Sequence, residues 1–309
     1  MKRFGILSME GVGSALRSVI SRVKEATAKR SSELPKTAPR LVAVSKLKSL
    51  DYVIEAYDNG QRHFGENYVK ELIEKSKDVK IQPLNDIRWH FIGHLQSNKC
   101  NNLVGVPNLF MVETVDSVKL ANSLNISWGK LNKPSPLNVM IQVNTSKEES
   151  KSGCLRDQCA ELVEHIITHC AHLKFSGLMT IGEMNHDWSQ GPNPDFTTLV
   201  DCRKDICEKL SLSLENVELS MGMSSDFEEA ILMGSTNVRV GSTIFGARQP
   251  KQASNVSSMQ GSTQLTSQEA NLSDASQQNV TKDGLPNLAA LNTDNSTDRD
   301  SHTALNSTT

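Results

Sequence analysis

Eight short apolar runs, separated by stretches with helical spacing, leave few folds open to this chain. The runs fall at 40–46, 62–67, 88–94, 109–114, 138–144, 174–180, 217–221 and 237–245. Between them, 50–59, 68–77, 117–125, 155–169, 196–210 and 225–233 carry apolar residues at helical intervals. Strand–helix alternation at this spacing implies right-handed crossovers and a parallel sheet. Eight such units match a closed (β/α)8 TIM-type barrel, which typically takes about 250 residues. A doubly wound open sheet is the second choice, and the count of strands favours the barrel. An extra amphipathic helix over 13–28 precedes the first strand, with Val12, Leu16, Val19, Ile20 and Val23 on one stripe. Residues 1–248 make up this single α/β domain. Residues 249–309 are rich in Ser, Thr, Asn, Gln and Asp and contain no aromatic residue or cysteine. Such a segment cannot bury enough apolar area to offset its ordering entropy, so a disordered tail is expected.

Charge and cysteine usage narrow the function classes. A formal net charge of -2 gives no polyanion-binding signature, so no nucleic-acid partner is expected. No apolar stretch approaches the roughly 20 residues of a membrane span, so no membrane partner is expected. The first ten residues contain Lys2 and Arg3 but no sustained apolar core, which argues against a secretory signal. The cytoplasm is the expected compartment. Lys2, Arg3, Arg17 and Arg22 carry a second reading of mitochondrial association, which Glu10 opposes. Cys100, Cys154, Cys159, Cys170, Cys202 and Cys207 form no Cys-x-x-Cys pair and are expected as reduced thiols. His165, His169, Cys170 and His172 have no partner motif and read as a solvated helix face rather than a metal site. Nothing resembles a dedicated subunit interface, so a monomer is expected.

In a barrel, chemistry gathers at the C-terminal ends of the strands. The first run, Val42-Ala43-Val44-Ser45-Lys46, ends on an amine. One reading is a lysine snorkelling to solvent. The other is a desolvated lysine that loses its proton readily and attacks aldehydes. Two further ends suit a phosphate. Ser220-Met221-Gly222-Met223-Ser224-Ser225-Asp226 runs into a helix expected to begin near Ser225. Its small residues let the backbone approach a ligand, and a helix N-terminus favours an anion. The same serines also suit an ordinary N-cap, with Glu228 in the capping-box position. The second is Arg239-Val240-Gly241-Ser242-Thr243, where Gly241 and Ser242 can offer amides beside the Arg239 guanidinium. Loops after strands seven and eight are a recurrent phosphate site of this fold.

Six ordered motifs make the resemblance specific. They are Val42–Lys46, His63-Phe64-Gly65-Glu66-Asn67-Tyr68, Trp89-His90-Phe91-Ile92-Gly93-His94-Leu95-Gln96, Gly177-Leu178-Met179-Thr180-Ile181, Leu219–Ser224 and Val238–Gly246. Together they resemble the pyridoxal phosphate homeostasis family, also called the proline synthase co-transcribed homologues. The resemblance covers about Leu16 to Arg248. Leu47 departs from the family pattern, which more often has threonine there. It implies a fold-type III pyridoxal phosphate (PLP) barrel related to the N-terminal domain of alanine racemase, with Lys46 holding PLP as an internal aldimine. Ser224, Ser225, Gly241 and Ser242 would bind the phosphate, and Arg239 would face the pyridine nitrogen. Asn67 and His90 would line the ring and its 3-hydroxyl side.

The function expected from the resemblance is a PLP carrier that serves vitamin B6 homeostasis and supplies apo-enzymes, without turnover. The alternative is a fold-type III amino-acid racemase. A racemase needs a second acid/base on the opposite substrate face, and the only tyrosines are Tyr52, Tyr57 and Tyr68. A cofactor-free Schiff-base aldolase is a third class.

Overall fold

The computed structural model describes residues 11–146, 148, 152–183 and 186–247. The expected tail and the first ten residues lie outside them. Eight parallel strands close on themselves in sequence order, β1 pairing with both β2 and β8. The strands are β1 (Arg40–Val44), β2 (His63–Glu66), β3 (Arg88–Phe91), β4 (Leu109–Val115), β5 (Leu137–Gln142), β6 (Leu173–Met179), β7 (Glu218–Ser220) and β8 (Asn237–Val240). The helices are α1 (Val12–Ala28), α2 (Leu50–Asp58), α3 (Val69–Lys77), α4 (Cys100–Val104), α5 (Val118–Gly129), α6 (Arg156–His169), α7 (Pro194–Lys209), α8 (Phe227–Leu232) and α9 (Ser242–Phe245). The TIM-type barrel expected from the alternation is the fold.

Alternation of side chains along each strand sorts two environments. Phe64 and Trp89 point outward and bury against the helices, as every second residue of a barrel strand must. α1 adds to this layer through buried Val12, Leu16, Val19 and Val23, the stripe expected from sequence. It packs on α2, α8 and α9, and Arg22 closes the seam with two bonds to Glu228 of 3.0 and 2.5 Å. Each fully buried Val or Leu on such a face contributes about 1.5–3 kcal/mol. The interior splits into halves. Met111, Met140 and Met179 form an apolar cluster of their own. The other half is polar and belongs to the site described below. All six cysteines are free thiols and buried. His165 stacks on His169 and bonds Asn122 at 2.7 Å, and no metal-ligating cluster occurs among the described residues.

Three expected boundaries shift. The first strand stops at Val44, because Ser45–Lys48 turns back through a Lys48 N–H to Ser45 carbonyl bond of 3.1 Å. The eighth stops at Val240, since Gly241 ends the ladder and Ile244 and Phe245 bury as one turn of helix. The helix expected near Ser225 begins at Phe227 instead, and no serine caps it. Asp226 folds back to accept from Met223 N–H at 2.6 Å, and Glu228 is occupied by Arg22 rather than by a capping box. α4 had no sequence expectation; its five residues are too few to show a period.

Candidate functional site

Three loops bring the expected residues together at the C-terminal mouth of the barrel. A cavity of about 420 Å³ is lined by Lys46, Ser224, Ser225, Arg239, Gly241 and Ser242, with Val44, Ile92 and Met223 as its apolar wall. That volume falls in the range of about 300–1,000 Å³ usual for small-molecule pockets. Six of the eight expected site residues therefore share one pocket. Asn67 and His90 do not line it. Asn67 lies on a neighbouring cavity of about 580 Å³ with Tyr68, Lys70, His94 and Gln96, and its Oδ1 is buried without a hydrogen bond. His90 is enclosed deeper in the barrel.

Each loop has a local reason for its shape. Gly222 sits at φ +93°, and a Cβ there would come within 2.6 Å of the Ala230 side chain, so the turn into α8 needs glycine. A Cβ on Gly241 would approach the Val44 carbonyl to 3.2 Å, closer than ordinary contact. The two loops are joined directly, since Gly241 N–H donates to Ser224 Oγ at 3.1 Å. Ser224 therefore braces the cradle as well as facing it. The Ser224 and Ser225 amides donate to no described residue, and the first amides of α9 are orphans of a helix start. This donor set, with a buried guanidinium beside it, fits a phosphate-bearing group.

Lys46 is half-buried in the turn after β1, and that turn is held from outside the barrel. Lys75 of α3 donates to the Ser45 carbonyl at 2.7 Å and pairs with Glu66 at 2.8 Å and Glu71 at 2.7 Å. Ser45 Oγ donates to Glu66 at 2.6 Å, and Glu71 accepts the Leu47 amide at 2.7 Å. Leu47 lies at φ +61°, a region that a leucine enters only at a cost, so these bonds impose it. On the pocket side, Lys48 Nζ donates to the carbonyls of Phe245, Gly246 and Ala247 at 2.8–3.0 Å, tying the turn to α9. Glu66 thus faces the helices rather than the mouth, because it shares the parity of Phe64.

Beneath the pocket runs the polar half of the interior. Arg239 is buried, donating from Nη1 to Ser220 Oγ at 2.5 Å and from Nη2 to the Thr180 carbonyl at 2.7 Å. Ser220 Oγ lies 2.6 Å from Glu113 Oε2, and His90 Nδ1 lies 2.6 Å from Glu113 Oε1. Asn237 Nδ2 also donates to Glu113 and to Ser220 Oγ, at 3.0–3.2 Å. His63 Nδ1 completes the chain at 2.8 Å from His90 Nε2. Burial pushes the Glu113 carboxyl up, but His90, Arg239 and Ser220 outweigh it and hold Glu113 at about 2. Burial lowers both histidines, His63 to about 3, so the rings are neutral.

The sequence could have flagged Glu113. An acid inside the apolar run Leu109-Phe110-Met111-Val112-Glu113 must be paired or strongly hydrogen-bonded when buried. Its partners come from β3, β7 and β8, which no local pattern links.

These shifts set the acid stability. Glu113 titrates below its ordinary 4.5 in the folded chain, so its contribution is complete above that value and is lost as pH falls toward about 2. His63 resists protonation from its ordinary 6.5 down to about 3, so stability falls over that window too. Urea midpoints should therefore decline with acidification from about pH 6.5. In His63→Phe the upper limb should lose about one proton of linkage. An identical pH profile in that variant would refute the assignment.

A sequence profile described as the alanine racemase N-terminal domain matches residues 20–249. The human protein named pyridoxal phosphate homeostasis protein is 58% identical over 250 residues, 80% of this chain and 91% of the relative. Its Caenorhabditis elegans namesake is 47% identical over 246 residues, 79% and 99% of the two chains. The chain belongs to the pyridoxal phosphate homeostasis protein family. PipY of Synechococcus elongatus, solved with PLP bound, is 30% identical, with a TM-score of 0.63 over 76% of this chain and 100% of that one. An alanine racemase of Clostridium difficile shares the fold at 10% identity and a TM-score of 0.56, covering 77% of this chain and 60% of that one.

Proposed function

We propose that this protein binds pyridoxal phosphate at the barrel mouth, holds it reversibly on Lys46 and releases it to apo-enzymes, as part of vitamin B6 homeostasis. The observation that carries this reading is the single pocket shared by Lys46, Arg239 and the serine–glycine loops. Bound there, PLP supplies an aldehyde that a lysine amine can take up and give back. Ser224, Ser225 and Ser242 hold the phosphate through hydroxyls and backbone amides, while Gly241, whose own amide is given to Ser224 Oγ, lets the backbone come close to it. Arg239 only donates hydrogen bonds, so at the pyridine nitrogen it keeps that atom an unprotonated acceptor. A ring held in this state is a weak electron sink, which limits carbanion chemistry and suits either a carrier or a racemase that moves a single proton.

Several features favour a carrier over a racemase. None of Tyr52, Tyr57 and Tyr68 lines the Lys46 pocket. The other lysine in it, Lys48, is bonded to three carbonyls. Ser225 and Ser242 are exposed at the rim, leaving water and a receiving protein a route in.

Purified protein mixed with PLP should retain a visible absorbance band through gel filtration and pass the cofactor to an apo PLP enzyme. Chiral analysis of alanine and serine incubated with it should find no sustained inversion. Turnover that disappears in Lys46→Ala would overturn the carrier reading in favour of the racemase. A wild-type sample that takes up no PLP would overturn both. Arg239→Ala should shift the band and weaken retention about tenfold, the scale of one lost charge-assisted bond, while borohydride still fixes PLP to the protein. An unaltered spectrum would remove Arg239 from the ring's contacts.

A further inference from the structure

We infer that Glu113, acting through Ser220, fixes the position and balances the charge of Arg239, which makes it a positioning residue for the ring side of the pocket. The inference rests on the PLP reading. A carboxylate is an acceptor only. Glu113 therefore obliges its neighbours to donate: Ser220 gives it the hydroxyl proton, His90 gives it Nδ1–H, and Asn237 gives it an amide proton. With its proton spent on Glu113, Ser220 Oγ can only accept from Arg239. Arg239 can only donate to that oxygen, so the acid and the guanidinium together hold Ser220 as donor to one and acceptor from the other. The same logic runs the other way, since His90 Nε2 is left as an acceptor and His63 must donate to it.

Charge points to the same conclusion. Glu113, Ser220 and Arg239 are each at most 4% exposed, and an uncompensated cation at that depth would be costly. Asp226 is the other acid acting on Arg239, and its Oδ1 is occupied by the Met223 amide. Glu113 is the acid linked to Arg239 through a single hydroxyl. In Glu113→Gln one oxygen becomes a donor. With that donor turned to Ser220, the hydroxyl loses its acceptor and its proton competes with Arg239. With it turned to His90, the imidazole must switch tautomer, and in both cases the neutral amide no longer balances the guanidinium charge.

The test is a double-mutant cycle on PLP affinity and absorbance. Glu113→Gln and Ser220→Ala should each weaken PLP binding about tenfold and shift the band in the direction that Arg239→Gln shifts it. In an Arg239→Gln background, the same changes should cost less than about twofold. A residue that only supported the barrel would weaken binding equally in both backgrounds, and that result would overturn the inference. So would wild-type affinity and spectrum in a folded Glu113→Gln or Ser220→Ala protein. If Glu113→Gln fails to fold, the Ser220→Ala cycle decides alone. Should the wild-type protein bind no PLP, the functional reading falls and the cofactor-free protein still decides the inference. The Arg239 side-chain N–H resonances should move and exchange faster in Ser220→Ala, and unchanged resonances would overturn it.

Discussion

Lys46→Ala should abolish covalent retention of PLP: no visible band after gel filtration, and no phosphopyridoxyl peptide after borohydride. The effect is all-or-none because no neighbour can replace the amine at that point. Lys48 lines the same cavity, but its Nζ is committed to the carbonyls that close α9. Some affinity should persist. The serine hydroxyls, loop amides and Arg239 are untouched, and each bond to a charged group is worth about 1.5–3 kcal/mol. The variant should therefore show a small PLP-dependent rise in melting temperature, reversed by competing inorganic phosphate. A borohydride label surviving on the variant would disprove Lys46 as the tether.

The largest stability effect is expected from Lys75→Met, a residue outside the pocket. Its ammonium compensates Glu66, which is fully buried, and Glu71, and it also holds the Ser45 carbonyl. Removing one partner of a buried ion pair costs about 3–5 kcal/mol, because the other charge is stranded. Burial already raises Glu66, with Lys75 as the main opposing influence. Without Lys75, Glu66 should protonate more easily. A folded-state carboxyl above its ordinary range favours the native state at low pH and loses that advantage as pH rises. The deficit in urea denaturation should accordingly be largest at neutral pH and narrow as pH falls through the carboxylate range. Adding Glu66→Gln should restore part of the loss. A deficit below about 1 kcal/mol would mean that the cluster is solvated rather than buried. Because the same lysine holds the turn carrying Lys46, PLP retention should drop in the variant as well.

The parts of this protein that could be read from sequence are those that local pattern determines. Period and spacing give the barrel, the α1 stripe and the strand ends carrying Lys46, Arg239 and the two phosphate-suited loops. What escaped depends on parity and on distant partners. Glu66 and Arg239 both stand near strand ends, yet one faces the helices and the other the lumen, and a one-residue change in phase decides which. His90 carries the right chemistry for a pocket, but β3 places it a layer too deep, against Glu113. The start of α8 moved with Asp226, whose side chain accepts from the Met223 amide behind it rather than from the first turn of the helix. The clamp on Lys46 joins residues of α3 to a turn some thirty positions earlier, a link that no short motif encodes.

The buried thiols carry a consequence for a protein that handles an aldehyde. Cysteine sulfur is a strong nucleophile when exposed as thiolate, and it would compete with an amine for the same carbonyl carbon. With all six sulfurs out of reach, the native surface offers the cargo no such trap. The same arrangement provides a clock. A thiol-specific reagent should label the folded protein only as fast as the segments covering each sulfur open, so labelling rates read local unfolding directly, without a reporter having to be introduced.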